Sequence, residues 1–156
     1  MIELEIPGAG MLSLRNIVLD FNGTVALDGK LLPGVKERLC ALSENLEVYI
    51  LTADTFGTCK KALSGVKCSI EILDGTPGAE QKKMFVRKIG AGETVSFGNG
   101  MNDCLMLAES ALGILVIGPE GSFATALKFA KIVVMDIRDG LDMLLNPKRL
   151  VATLRY

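Results

Sequence analysis

Four short stretches of the chain hold residue types that can handle a phosphoryl group. Asp20 is followed by Phe21-Asn22-Gly23-Thr24, and Thr52 sits within Ile50-Leu51-Thr52-Ala53-Asp54. Lys82 precedes Val86 by four residues, and Gly98-Asn99-Gly100-Met101-Asn102-Asp103 forms the last stretch. An aspartate can attack phosphorus, while a hydroxyl, an ammonium, loop N–H groups and Mg²⁺ spread the charge of the equatorial oxygens. Asp103 suits a hard, oxygen-seeking cation, and glycines at 23, 98 and 100 let backbone approach a phosphate or metal closely. The chain has no histidine, which removes the usual general base of serine and cysteine hydrolases. Its four cysteines, Cys40, Cys59, Cys68 and Cys104, lack CxxC spacing and read as reduced thiols. Catalysis would have to rest on carboxylates, lysine, hydroxyls or a metal.

Each stretch alone has an ordinary reading. Asp followed by Asn-Gly is a common turn, Lys82-Lys83 suits a solvated helix face, and GNGMND can cap a helix. Their placement makes the difference. Strand-like apolar runs at Asn16 to Asp20, Leu46 to Thr52, Cys68 to Leu73, Thr94 to Phe97 and Leu112 to Ile117, with a sixth at Ile132 to Asp136, alternate with helical segments. The helices are expected near 34–45, 56–64, 78–90, 101–110 and 122–129, their starts punctuated by Pro33-Gly34, Pro77-Gly78 and Pro119-Glu120-Gly121-Ser122. Such alternation predicts a doubly wound, mainly parallel sheet covered on both faces, an α/β fold of three layers. In such sheets ligands bind beyond the carboxyl ends of the strands, where Asp20, Thr52 and the GNGMND stretch fall. Residues 1–15 read as an added β-hairpin turning at Pro7-Gly8-Ala9-Gly10, and 140–156 as two short helices divided near Asn146-Pro147. The whole, 1–156, is expected to be a single domain.

Composition narrows the partners. Lys and Arg total 17 against 18 Asp and Glu, leaving a formal charge of −1 and no basic surplus for nucleic acid or an anionic membrane. Mean hydropathy is high at +0.39, but charged residues or glycine break every apolar run well before the ~18 residues of a membrane span. The start, MIELEIPGAG, is unlike a secretory signal, so a cytoplasmic location is expected.

DFNGT at 20–24, ILTAD at 50–54, Lys82 with Val86, and GNGMND at 98–103 resemble the four motifs of haloacid dehalogenase superfamily phosphatases, in order and spacing over nearly the whole chain. TAD, GNGMND and GILVIGPEGSFATALKFAKIVVM resemble more narrowly the phosphorylation domain of P-type cation ATPases and small soluble proteins like it. The resemblance implies a Rossmann-like fold and Asp20 as the phosphorylated nucleophile. It also implies phosphate contacts from Asn22, Gly23, Thr52, Ala53 and Lys82. Mg²⁺ would be held by Asp20, the main-chain carbonyl of Asn22, and the Asn99 and Asp103 region.

Two departures stand out. Asn22 replaces the aspartate that in most such phosphatases protonates the leaving group and activates water, which an amide cannot do. Asn99 replaces a metal carboxylate, keeping a carbonyl oxygen without its charge. Slow turnover is therefore expected, and the alternative is a non-catalytic or regulatory phosphate-binding module. Only 27 residues separate Thr24 from Thr52, too few for an ATP-binding domain or a large cap. The expected ligand is a phosphorylated small molecule or a phosphoprotein, with no nucleic acid and no membrane, and a homo-oligomer is left open.

Overall fold

The computed structural model describes residues 1–53, 57–74 and 77–156; Asp54 of the ILTAD stretch and Phe56, the first residue of the helix expected at 56–64, lie outside them. The chain opens with a hairpin of β1 (Ile2–Ile6) and β2 (Gly10–Leu14), antiparallel in the register Ile2 to Leu14. Then follow β3 (Asn16–Asp20), the two-residue strands β4 (Ala26–Leu27) and β5 (Lys30–Leu31), α1 (Val35–Leu42), β6 (Glu47–Thr52), α2 (Thr58–Ala62) and β7 (Ser69–Ile72). The second half holds α3 (Gly78–Ile89), β8 (Thr94–Gly98), α4 (Cys104–Glu109), β9 (Leu112–Val116), β10 (Ile132–Val134), α5 (Ile137–Leu145) and α6 (Lys148–Leu154).

Six strands form one parallel sheet in the order β10-β9-β8-β3-β6-β7. The first of these strands in the chain, β3, is therefore central, and all five of its residues are buried. Its period of two divides the core. Ile17 and Leu19 point into a cluster with Val35 and Leu39 of α1 and Ile137, Leu141 and Leu144 of α5, whereas Val18 meets Leu51, Val86 of α3 and Met106 of α4. Asp20 follows Val18 by two residues, so the alternation turns its carboxylate toward α3. Arg38 of α1 clamps Asp142 of α5 with two hydrogen bonds of 2.7 and 2.9 Å across the other face. The amino-terminal hairpin buries Ile6 and Leu14 and is tied to the opposite end of the chain by the Tyr156 N–H donating to the Pro7 carbonyl at 3.0 Å.

Three expectations need adjusting. The helix expected at 122–129 is a tighter 3₁₀ turn, Ala124–Lys128, closed by three-residue hydrogen bonds from the Ala126 N–H to the Phe123 carbonyl at 2.8 Å and from the Phe129 N–H to the Ala126 carbonyl at 3.0 Å. The sixth strand ends at Val134, since Asp136 caps α5 by accepting the Arg138 N–H at 2.8 Å. The β4–β5 hairpin was not expected. Its turn, Asp28-Gly29, has φ of 50° and 76°, the paired positive values that suit a two-residue hairpin. Among the described residues no large cap covers the sheet, and no helix is long and apolar enough to cross a membrane.

Candidate active site

The order of the sheet reverses at β3, between β6 on one side and β8 on the other, and a cleft opens there beyond the carboxyl ends of the strands. It measures about 580 Å³ and is lined by Asp20, Asn22, Thr52, Ala53, Lys82, Asn99 and Asn102, with Glu120 at its edge. Six of the residues expected from sequence thus meet in one place. Two do not line the cleft. Asp103 lies beneath it, fully buried, and Gly23 lies beside Asn99 with its N–H donated to the Ala26 carbonyl at 2.8 Å.

Lys82 is the hinge of the arrangement. It projects from the buried side of α3, one turn before Val86, and is 2% exposed. Its Nζ donates to Asp20 Oδ1 at 2.6 Å and to Asp103 Oδ1 at 2.5 Å, so one ammonium joins two carboxylates. Burial alone would lower the lysine pKa, but the two carboxylates outweigh it and the value is raised. Asp20 is pushed up to about 6, first by burial and then by Asp103, against the opposing pull of Lys82 and the Thr24 hydroxyl. Thr24 Oγ1 donates to Asp20 Oδ2 at 3.2 Å and approaches Asn99 Oδ1 at 3.3 Å.

Asp103 has both oxygens committed. Oδ1 accepts from Lys82, and Oδ2 accepts from the Asn99 and Gly100 N–H groups at 3.0 and 2.9 Å. It therefore fixes the lysine and the loop after β8 at once. Gly98 makes room for this: a side chain there would fall 2.7 Å from Asp103 Oδ2 and closer still to its Cβ. Asn22 turns its amide oxygen outward to accept the Gly29 N–H at 3.0 Å, holding the β4–β5 hairpin against the loop after β3.

Oxygen donors among the side chains lining the cleft include the Asp20 carboxylate, the Asn99 amide carbonyl and the Glu120 carboxylate. This set fits a hard divalent cation of the Mg²⁺ type. Among the described residues no three Asp, Glu, Cys or His side chains gather as a metal group, so such a site would be a mixed one of carboxylate, amide and main-chain oxygens.

Sequence reasoning passed over two features here. The Asp28-Gly29 dipeptide between Ala26-Leu27 and Lys30-Leu31 is a hairpin signal. Glu120 was read as part of a helix start, yet it follows β9 at the same sheet edge as Asp20, which was the signal available. A second hollow of about 570 Å³ adjoins the cleft through Gly78 and Asn102 and is almost wholly apolar, with Pro77, Met101, Leu105, Phe123 and Phe129 in its walls.

No family model matches the chain. Over 61 residues it is 51% identical to the uncharacterized protein MJ0073 of Methanocaldococcus jannaschii, a match covering 39% of this chain and 66% of that one. Over 39 residues it is 64% identical to the uncharacterized protein MJ0072 of the same organism, covering 25% of this chain and 89% of that one. Among solved structures it resembles 3-deoxy-D-manno-octulosonate 8-phosphate phosphatase from Moraxella catarrhalis, in complex with magnesium, phosphate and KDO. The TM-score is 0.71 at 14% identity, covering 91% of this chain and 94% of that one. The cobalt-bound deoxy-D-mannose-octulosonate 8-phosphate phosphatase of Haemophilus influenzae gives 0.69 at 12% identity, covering 92% and 94%. A phosphoserine phosphatase in apo form gives 0.63 at 13%, covering 83% and 98%.

Proposed function

We propose that this chain, which has the capless fold of the haloacid dehalogenase superfamily, is a divalent-cation-dependent phosphohydrolase or phosphoryl-transfer enzyme acting through an aspartyl phosphate on Asp20. The observation that carries this reading is the Asp20–Lys82–Asp103 arrangement, an ion triad at the end of the central strand in which Asp20 and Lys82 line the cleft and Asp103 is buried beneath it.

An oxygen of ionised Asp20 forms a bond to phosphorus as the bond from phosphorus to the leaving oxygen breaks, and the leaving group departs with that electron pair. Lys82, Thr52, Ala53 and Asn22 line the cleft and would contact the equatorial phosphoryl oxygens as they gather charge. A cation held by Asp20, the Asn22 main-chain carbonyl and Asn99 would supply positive charge to the same oxygens. Asp103 acts through Lys82, keeping its ammonium in place.

No side chain at position 22 can protonate the leaving group. Substrates whose leaving group is stable as an anion are therefore favoured, acyl and aryl phosphates above alkyl phosphates. The same lack of a base slows attack of water on the aspartyl phosphate, so the intermediate persists. The adjoining apolar hollow suits a leaving group or peptide segment with an apolar surface. The reading in which phosphate is bound without turnover draws support from Asn22, whose amide is engaged in holding the β4–β5 hairpin.

The test is a phosphatase screen with acetyl phosphate, an aryl phosphate, sugar phosphates and nucleotides, with Mg²⁺ and with chelator. The expected result is Mg²⁺-dependent release from acetyl and aryl phosphate, abolished in a folded Asp20→Asn variant. Activity retained by that variant overturns the role of Asp20, and phosphate binding without release from any substrate favours the binding module.

A further inference from the structure

We infer that Glu120 is a ligand-bearing residue of the cation site, supplying the negative charge that Asn99 lacks; the inference rests on the cation-dependent reading above. Three observations lead to it.

The first is position. Glu120 lines the same cleft as Asp20, Asn22 and Asn99. A side chain built on Gly23 would meet Glu120 Oε2 at 2.7 Å and the Asn99 amide nitrogen closer still, so these two groups crowd the same point above the nucleophile loop. Asn99 in turn reaches Asp20 through Thr24.

The second is that the glutamate is exposed yet its backbone is pinned. Pro119-Glu120 form the centre of a tight turn closed by the Gly121 N–H donating to the Gly118 carbonyl at 2.9 Å. Asn99 Nδ2 donates to the Gly121 carbonyl at 3.1 Å, and the Ser122 hydroxyl and Phe123 N–H donate to the Asn99 carbonyl at 3.0 and 2.8 Å. Gly118 lets the turn sit close to the nucleophile loop, since a side chain there would fall 3.1 Å from the Gly23 carbonyl oxygen. Among the described residues Glu120 has no ion pair or hydrogen-bond partner of its own.

The third is chemical. An aspartate at 99 could not donate to the Gly121 carbonyl; an asparagine can. The amide that gives up a metal charge is thus the group that fastens the turn carrying another. With Glu120 counted beside Asp20, Asp103 and Lys82, the formal charge around the cleft is −2 rather than −1, which favours a divalent cation.

The experiment is Mn²⁺ binding by the intact chain, followed by the loss of the free-ion EPR signal, for wild type, Glu120→Gln and Glu3→Gln. Glu3 is an exposed carboxylate on β1 and controls for the change in net charge. The expected result is a dissociation constant raised about tenfold or more in Glu120→Gln and unchanged in Glu3→Gln, with metal-free thermal unfolding alike in all three. Affinity unaffected by Glu120→Gln, or weakened equally by both substitutions, overturns the role of Glu120 and leaves the cation-dependent reading standing. A wild-type chain that binds no Mn²⁺ overturns that reading, and this inference with it.

Discussion

Asp20 is held in an environment that opposes its own charge, and this has a measurable consequence in the metal-free protein. Its pKa is pushed up to about 6 from 3.8, first by burial and then by Asp103. A raised value in the folded state means that the native chain keeps a proton which the unfolded chain has released. The stabilising contribution of Asp20 is therefore full below its unfolded value and lost as the pH rises through its folded one. The difference in unfolding free energy between wild type and Asp20→Asn, measured in chelator, is expected to fall between about pH 4 and about pH 6 and to flatten above about pH 7. A difference that stays level or rises across that window contradicts the account. Asp103 and Asp20 looked alike in sequence as candidate metal ligands, but the side chains differ in what they touch. Asp103 spends both oxygens on Lys82 and two loop N–H groups, an arrangement set by the fold of the 98–103 loop that no spacing in the sequence reveals.

The elements around the cleft are coupled by single side chains, and Asn22 shows how. Its amide oxygen accepts from Gly29 and so joins the loop after β3 to the β4–β5 hairpin. Asn22→Asp keeps an acceptor at that point and adds an ionisable group, so it is expected to leave the fold intact and raise turnover more than it changes KM. Asn22→Ala removes the acceptor, and thermal unfolding should report a loss of about 1 kcal/mol with no gain in turnover. Reduced activity in a well-folded Asn22→Asp variant would mean instead that the amide protects the aspartyl phosphate from water. The strands that carry Asp20 and Thr52 were legible from apolar runs because strands buried on both faces have little polar interruption. The small hairpin escaped because each of its strands has two residues, too few for a period to register, although Asp28-Gly29 marked the turn. The 3₁₀ turn at 124–128 escaped for a different reason: five residues with an apolar majority fit either helix type, and the contact that anchors the segment, the Phe123 N–H on the Asn99 carbonyl, spans 24 residues of sequence.

Across the whole molecule, one topological fact gathers the chemistry. The sheet reverses order at β3, and residues from β3, β6, α3 and the loops after β8 and β9 all reach the same cleft. Their order along the chain was visible in the sequence, and their convergence followed from reading the strands as parallel neighbours. Glu120 belongs to the same gathering, yet its sequence context marked only a helix start, since its place depends on a turn fastened by the Asn99 side chain. Phosphorylation of Asp20 is the step on which the proposed function turns, and a missing base at 22 should make the aspartyl phosphate long-lived enough to capture. The most direct measurement is acid quenching of the Mg²⁺-loaded chain after brief exposure to acetyl phosphate, followed by peptide mass spectrometry. The account predicts one added phosphoryl group on the peptide containing Asp20, removed by hydroxylamine as an acyl phosphate would be, and absent in Asp20→Asn. A phosphoryl group on another residue, or an unmodified Asp20 peptide from a chain that is releasing phosphate, would contradict it.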